Sequence, residues 1–238
     1  MTRLHITEWG QGDRIAVLVH GLSGSSATWC EVGPALAARG FHVLAPDLAG
    51  HGHSPRGRYS RERWAEDLVD TLPVGADLVV GHSLGGVLLA MVVDQLRPAT
   101  AVYEDPAWYP TAEGYGAGMP AIAASRHLTD DDLARAFPYW SVDARAAKRT
   151  ALQQWDPATT GMRFVETAYV PVLPIVPSLV LLADPSALVT PARAEQFAAA
   201  GFELRTVPGT GHNVHHDNPS GYLDALDAWL VRHPGGRR

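Results

Sequence analysis

The chain of 238 residues contains one cysteine, Cys30, so no internal disulfide can form and the sequence fits a reducing compartment. Cys30 reads as a small buried hydrophobe rather than a reactive thiol. No run reaches the roughly 18 to 20 apolar residues that a membrane-spanning helix needs. The opening MTRLHITEWG carries no apolar stretch of the kind a secretion signal has. A soluble, cytoplasmic protein without membrane association is therefore expected. A basic surplus is also missing: 19 Lys and Arg stand against 25 Asp and Glu, a formal net charge of -6, which argues against a nucleic-acid partner. There is no phosphate-binding Walker loop and no dinucleotide fingerprint, so no cofactor is expected. Histidines number 11, yet His51, His53, His215 and His216 lack further ligands at motif spacing, and no metal is expected.

What is present is apolar sequence in short pieces. Hydrophobic residues make up 46% of the chain, enough for one large core without low-complexity segments. Continuously apolar runs end in turn residues at 14–21, 41–47, 77–83, 99–105, 178–184 and 202–209. Each reads as a strand buried on both faces. Helical patterns at about 30–39, 60–72, 84–97, 191–200 and 219–232 separate them. Strand alternating with helix predicts an α/β fold, a doubly wound and mostly parallel sheet with its functional groups at the carboxyl ends of the strands.

The alternation breaks between Asp105 and Ser178. That stretch contains LTDDDLARAF and VDARAAKRTALQQW and closes with YVPVLPIVP, whose prolines favour an extended connector. It is read as a helical lid insertion over 106–177, with 1–105 and 178–238 forming the core.

The chemistry centres on GHSLG at 81–85. A sharp strand-to-helix turn strains its central residue, and neighbours two positions away must be small. The Ser83 hydroxyl would stand above the sheet edge at the positive end of a helix, where the Leu84 N–H can face an oxyanion. A serine needs a base, and His212 follows the last strand in a glycine-flanked loop. His215 and His216, beside the start of the final helix, are read as solvated or packed around that loop. The imidazole needs a carboxylate. Asp184 ends its strand and supplies the order Ser, Asp, His; Asp105 and Glu104 are the alternative acids.

These residues resemble the α/β-hydrolase superfamily in its lid-bearing, serine-nucleophile branch. The resemblance rests on HGLSGSSATW (20–29), DLAGHGHS (47–54), GHSLGG (81–86) and PGTGHNVHHDNP (208–219), in that order. It implies the α/β-hydrolase fold, Ser83 as nucleophile, His212 as general base, and the N–H groups of Leu22 and Leu84 as the oxyanion hole. The acid segment departs from the family pattern, because Ser186 stands where the usual acid would be and Asp184 lies two residues earlier. A serine at the elbow disfavours branches with an aspartate nucleophile, such as epoxide hydrolases.

The expected function is hydrolysis of a carboxylic ester or lactone of a hydrophobic small molecule through an acyl-enzyme. Alternatives are a thioesterase, a carbon–carbon hydrolase, an acyltransferase or tailoring enzyme, or a catalytically silent ligand-binding homologue. The substrate pocket is expected to draw on His20, Trp108, Tyr109 and Trp140, although most aromatics of the insertion should simply pack it onto the body.

Overall fold

In the computed structural model, residues 3–108, 112–161 and 169–234 are described, with 112–117 described in backbone only. Among the described residues seven strands form one sheet: β1 (Ile6–Trp9), β2 (Arg14–Val19), β3 (Phe41–Pro46), β4 (Leu78–His82), β5 (Ala101–Glu104), β6 (Ser178–Leu182) and β7 (Glu203–Thr206). Their spatial order is β1-β3-β2-β4-β5-β6-β7, with every neighbouring pair parallel except β1 against β3. The six strands read from the sequence are all there. The seventh, β1, has only four half-buried residues, too short and too exposed to register as an apolar run.

The central strands β2, β4, β5 and β6 are mostly apolar because both faces are covered. Ala16 and Leu18 of β2, with Leu78 and Val80 of β4, pack on one face against Trp29, Leu36, Tyr222 and Trp229. Val17, Val19 and Val79 point to the other, against Trp64, Leu68, Leu88 and Phe197. Each buried Val or Leu among them contributes about 1.5–3 kcal/mol on leaving water. The first face is closed by α1 (Val32–Ala38) and, at the chain's far end, a helix at Pro219–Leu230; the second by α2 (Arg61–Thr71), α3 (Leu84–Leu96) and a helix at Pro191–Ala199. Caps fix where helices begin: the Ser60 hydroxyl accepts from the Arg63 N–H, and Asn218 accepts from the Gly221 N–H. Cys30 is only partly buried, and burial together with Glu31 pushes its thiol up to about 11.

Between β5 and β6 the chain forms α4 (Ala112–Ala124), α5 (Asp130–Ala136) and α6 (Val142–Gln154). The two charged segments read as helical are α5 and α6, and Thr129 caps α5 reciprocally with Asp132. Leu133, Leu152 and Trp155 make a small core of their own, against which Leu22 and Phe137 pack. No helix among the described residues is long and apolar enough to cross a membrane.

Candidate active site

The strand β4 runs straight into α3 through Ser83, whose backbone sits at φ 53° and ψ -112°. A non-glycine residue there is strained, and close packing on both sides holds it. A Cβ on Gly81 would lie 2.4 Å from the Gly85 carbonyl oxygen, and one on Gly85 would lie 2.2 Å from the Val19 carbonyl oxygen. That is why glycine stands on both sides of the serine. The Ser83 N–H donates to the Glu104 carbonyl at 2.9 Å, tying the elbow to β5. Leu84 opens α3, so its N–H has no carbonyl within the helix to meet.

Facing the elbow is the loop after β2. A Cβ on Gly21 would lie 3.1 Å from the Ser83 Cβ and 2.9 Å from His82 Nδ1, so the bare backbone of this loop is pressed against the elbow. The Gly24 N–H donates to the Gly21 carbonyl at 3.0 Å, closing a tight turn around Leu22 and Ser23, and Ser23 takes a left-handed φ of 59°. His20 braces it. Its Nε2 accepts from the Leu48 N–H at 3.0 Å, so Nδ1 carries the proton and donates to the Gly21 carbonyl at 2.8 Å. Burial holds His20 below the usual imidazole range, consistent with that neutral tautomer. His20 was expected in the substrate pocket; it is 1% exposed with both nitrogens committed to backbone, and it shapes the loop instead.

His212 comes from the loop after β7, with its side chain 37% exposed. Its Nδ1–H donates to Asp105 Oδ2 at 2.7 Å. The expected partner, Asp184, is corrected by this geometry. Asp184 is exposed, its N–H donates to the Thr210 carbonyl, and its carboxylate has no hydrogen-bond or ion-pair partner among the described residues. The sheet order gives the reason: β5 lies beside β4, and Asp105 sits just past its end, whereas Asp184 lies one strand further out and beyond the end of β6. Asp105 has φ 36°, is fully buried, and is fixed by its N–H to the Leu181 carbonyl. Its neighbour Glu104, the other alternative acid, meets a different imidazole: its Oε1 accepts from the His215 N–H at 3.0 Å and pairs with His215 Nδ1 at 2.7 Å.

His215 and His216 are therefore not solvated; each is 2% exposed. Burial lowers them to about 3 and about 4, and it depresses His51 and His82 as well. The His82 Nε2–H donates to the His212 carbonyl at 2.9 Å, so one imidazole holds the backbone of the other. Gly21, Leu22, His82, Trp140, Lys148 and His216 are among the residues around a cavity of about 20 Å³, room for roughly one water.

Of the aromatics expected in the pocket, Trp140 lines this cavity and donates through Nε1 to Asp217 Oδ1 at 2.6 Å. Asp217 also accepts from the Gly211 N–H at 2.8 Å, next to His212. Trp108 is a core residue, unexposed, packed on Tyr103, Phe197 and Phe202 with its N–H on the Gly86 carbonyl. Tyr109 lies outside the described residues. The sequence reading passed over His82, Asp217 and Lys148; the last could have been noticed as the chain's one lysine. It also missed that His5, Asp47 and His53 each set a ligand atom within 4.8 Å of the others, at no motif spacing; Asp47 accepts the Ser26 and His53 N–H groups.

An uncharacterised protein of Mycobacterium tuberculosis is 46% identical over 82 residues, 32% of this chain and 24% of that one, so the chain spans about a quarter of that relative's length. The mouse sn-1-specific diacylglycerol lipase ABHD11 is 29% identical over 90% of this chain and 80% of its own. Among solved structures, E-2-(acetamidomethylene)succinate hydrolase superposes with a TM-score of 0.75 at 23% identity, over 96% of this chain and 95% of that one. The model of the alpha/beta hydrolase family matches residues 16–225, and the chain belongs to that family.

Proposed function

We propose that the protein hydrolyses a carboxylic ester or lactone of a hydrophobic small molecule, with Ser83 as nucleophile, His212 as general base and Asp105 as the orienting acid. The observation that carries this reading is the 2.7 Å bond from His212 Nδ1 to Asp105 beside a strained serine elbow. With Nδ1 protonated and held, Nε2 is the nitrogen left to take the serine proton. Ser83 Oγ then bonds to the substrate carbonyl carbon, and the proton on Nε2 passes to the departing alcohol. Water cleaves the acyl-enzyme by the same route in reverse. The developing oxyanion is assigned to the N–H groups of Leu22 and Leu84, one from the turn pressed on Ser83 and one from the first residue of α3.

The names of the lipase relative and the hydrolase structure support the reaction class. Against a silent binding protein stands the bond from His212 to Asp105, which supplies the acid that the Asp184 segment lacks. We assign the helices between β5 and β6 as a lid, and the apolar side chains Leu22, Phe137 and Trp140 near the turn as the grounds for a hydrophobic substrate. Assay of Ser83→Ala on p-nitrophenyl acyl esters tests the assignment. Loss of about a millionfold in turnover is expected, and substantial remaining turnover would contradict it.

A further inference from the structure

Among 19 basic residues, 18 are arginines and one is a lysine. That lysine, Lys148, sits on the inward side of α6, and its Nζ donates to the Ser23 carbonyl at 3.0 Å and to the Ser23 Oγ at 3.1 Å. Ser23 is the strained residue of the turn that carries Leu22. Lys148 and Leu22 border the same small cavity. No carboxylate among the described residues pairs with the ammonium. The titratable side chains around it are the imidazoles of His20, His51, His82, His215 and His216, on which the carboxylates of Asp47, Glu31 and Glu104 act from farther out. All five are held below the usual imidazole range by burial, so among the described residues lining the cavity Lys148 is the one charged at neutral pH.

Resting on the serine-hydrolase reading, we propose that Lys148 is a positioning residue of the oxyanion hole: its ammonium, delivered by α6, locks the Gly21–Gly24 turn against Ser83 and adds positive charge beside it. A half-buried cation without a paired counter-charge is costly. Here its cost is visible in the ammonium itself, which burial pushes down to about 8. An arginine would stay charged at any pH and offers a planar fork in place of a compact ammonium. The lock therefore holds while Lys148 is protonated and loosens as pH rises through that value.

The experiment is the pH profile of kcat and KM for an aryl ester with wild type, Lys148→Met and Lys148→Arg. Charge-assisted hydrogen bonds of this kind imply a ten- to hundredfold fall in kcat/KM for Lys148→Met, borne by kcat, with the wild-type alkaline limb near pH 8 gone. Lys148→Arg should keep part of the activity and move that limb upward. A methionine variant with wild-type kcat/KM and an unchanged limb overturns the proposal. Should that variant fail to fold, reductive ¹³C-methylation of the wild type gives one dimethyl-lysine resonance. Its titration near 8, together with the limb, supports the lock; titration near the free-lysine value of about 10.4 overturns it. Fluorophosphonate labelling separates the two readings: no adduct on wild-type Ser83 sinks the nucleophile assignment and this proposal with it, whereas normal labelling beside an indifferent Lys148→Met sinks this one alone.

Discussion

His212 and Asp105, 107 residues apart in sequence, share a 2.7 Å hydrogen bond at the carboxyl edge of the sheet. Asp105 follows β5, the strand next to β4, which leads into Ser83, and Glu104, one residue earlier, holds His215 instead. Two adjacent carboxylates thus serve two imidazoles, and only one of those imidazoles is open to solvent.

Exchanging the two candidate acids separates them. Asp105→Asn should lower kcat by about 10⁴-fold, the effect of losing the correct imidazole tautomer. Asp184→Asn, an exposed change, should stay within about twofold. Steady-state kinetics on one ester decides it, and the reverse ranking would restore Asp184 to the imidazole.

Gly85→Ala should unfold the elbow rather than tune it. Its new Cβ would stand 2.2 Å from the Val19 carbonyl, and backbone of a central strand cannot give way cheaply. A melting temperature lower by at least about 5 °C, with activity lost, is expected in a thermal melt. An unchanged melt would mean the two segments are further apart.

Acid should destabilise the fold earlier than carboxylate titration alone would. His20, His51, His82, His215 and His216 are held neutral by burial, His215 at about 3 and His216 at about 4. Their unfolded value is 6.5, so below that pH the unfolded chain binds the extra protons. Stability is present above about pH 6.5 and is lost as pH falls toward 4. The buried Glu104 carboxyl, pushed upward by burial, works the other way, but one group stands against five. His216→Gln should flatten the slope of unfolding free energy in that window by up to about 1.4 kcal/mol per pH unit. Urea melts at pH 4.5, 5.5 and 6.5 measure it; identical slopes would refute it.

Trp108 and Trp140 looked alike in the sequence and should fail differently. Trp108→Ala removes a buried ring from a four-aromatic cluster and should cost about 3–5 kcal/mol in stability. Trp140→Phe keeps the stack on Phe137 but drops the bond to Asp217, which also holds the Gly211 N–H beside His212. It should therefore change kcat more than stability. Denaturant melts and kinetics on both variants distinguish these outcomes.

The fold was legible because its central strands are buried on both faces and so read as apolar runs; β1 at one edge, half-exposed, did not, and β7 at the other edge carries Glu203 and Arg205 on a half-exposed strand. Of the proposed site, the Ser83 elbow was legible because glycine at 81 and 85 answers local steric demands, and His212 because it stands in a glycine-flanked loop after the last strand. The acid was not. Which carboxylate reaches an imidazole depends on strand order, and strand order leaves no mark on the spacing of residues along a chain. For the same reason Lys148 passed unnoticed: what makes it matter is Ser23, 125 residues away.

The most direct measurement is to quench the reaction with a p-nitrophenyl ester in the first turnover, digest the protein and locate the acyl group by mass spectrometry. The account predicts one acylated peptide, modified at Ser83, which disappears in Ser83→Ala and forms far more slowly in Asp105→Asn. Hydrolysis that proceeds with no acyl group on Ser83, or with the label on a carboxylate, would contradict it.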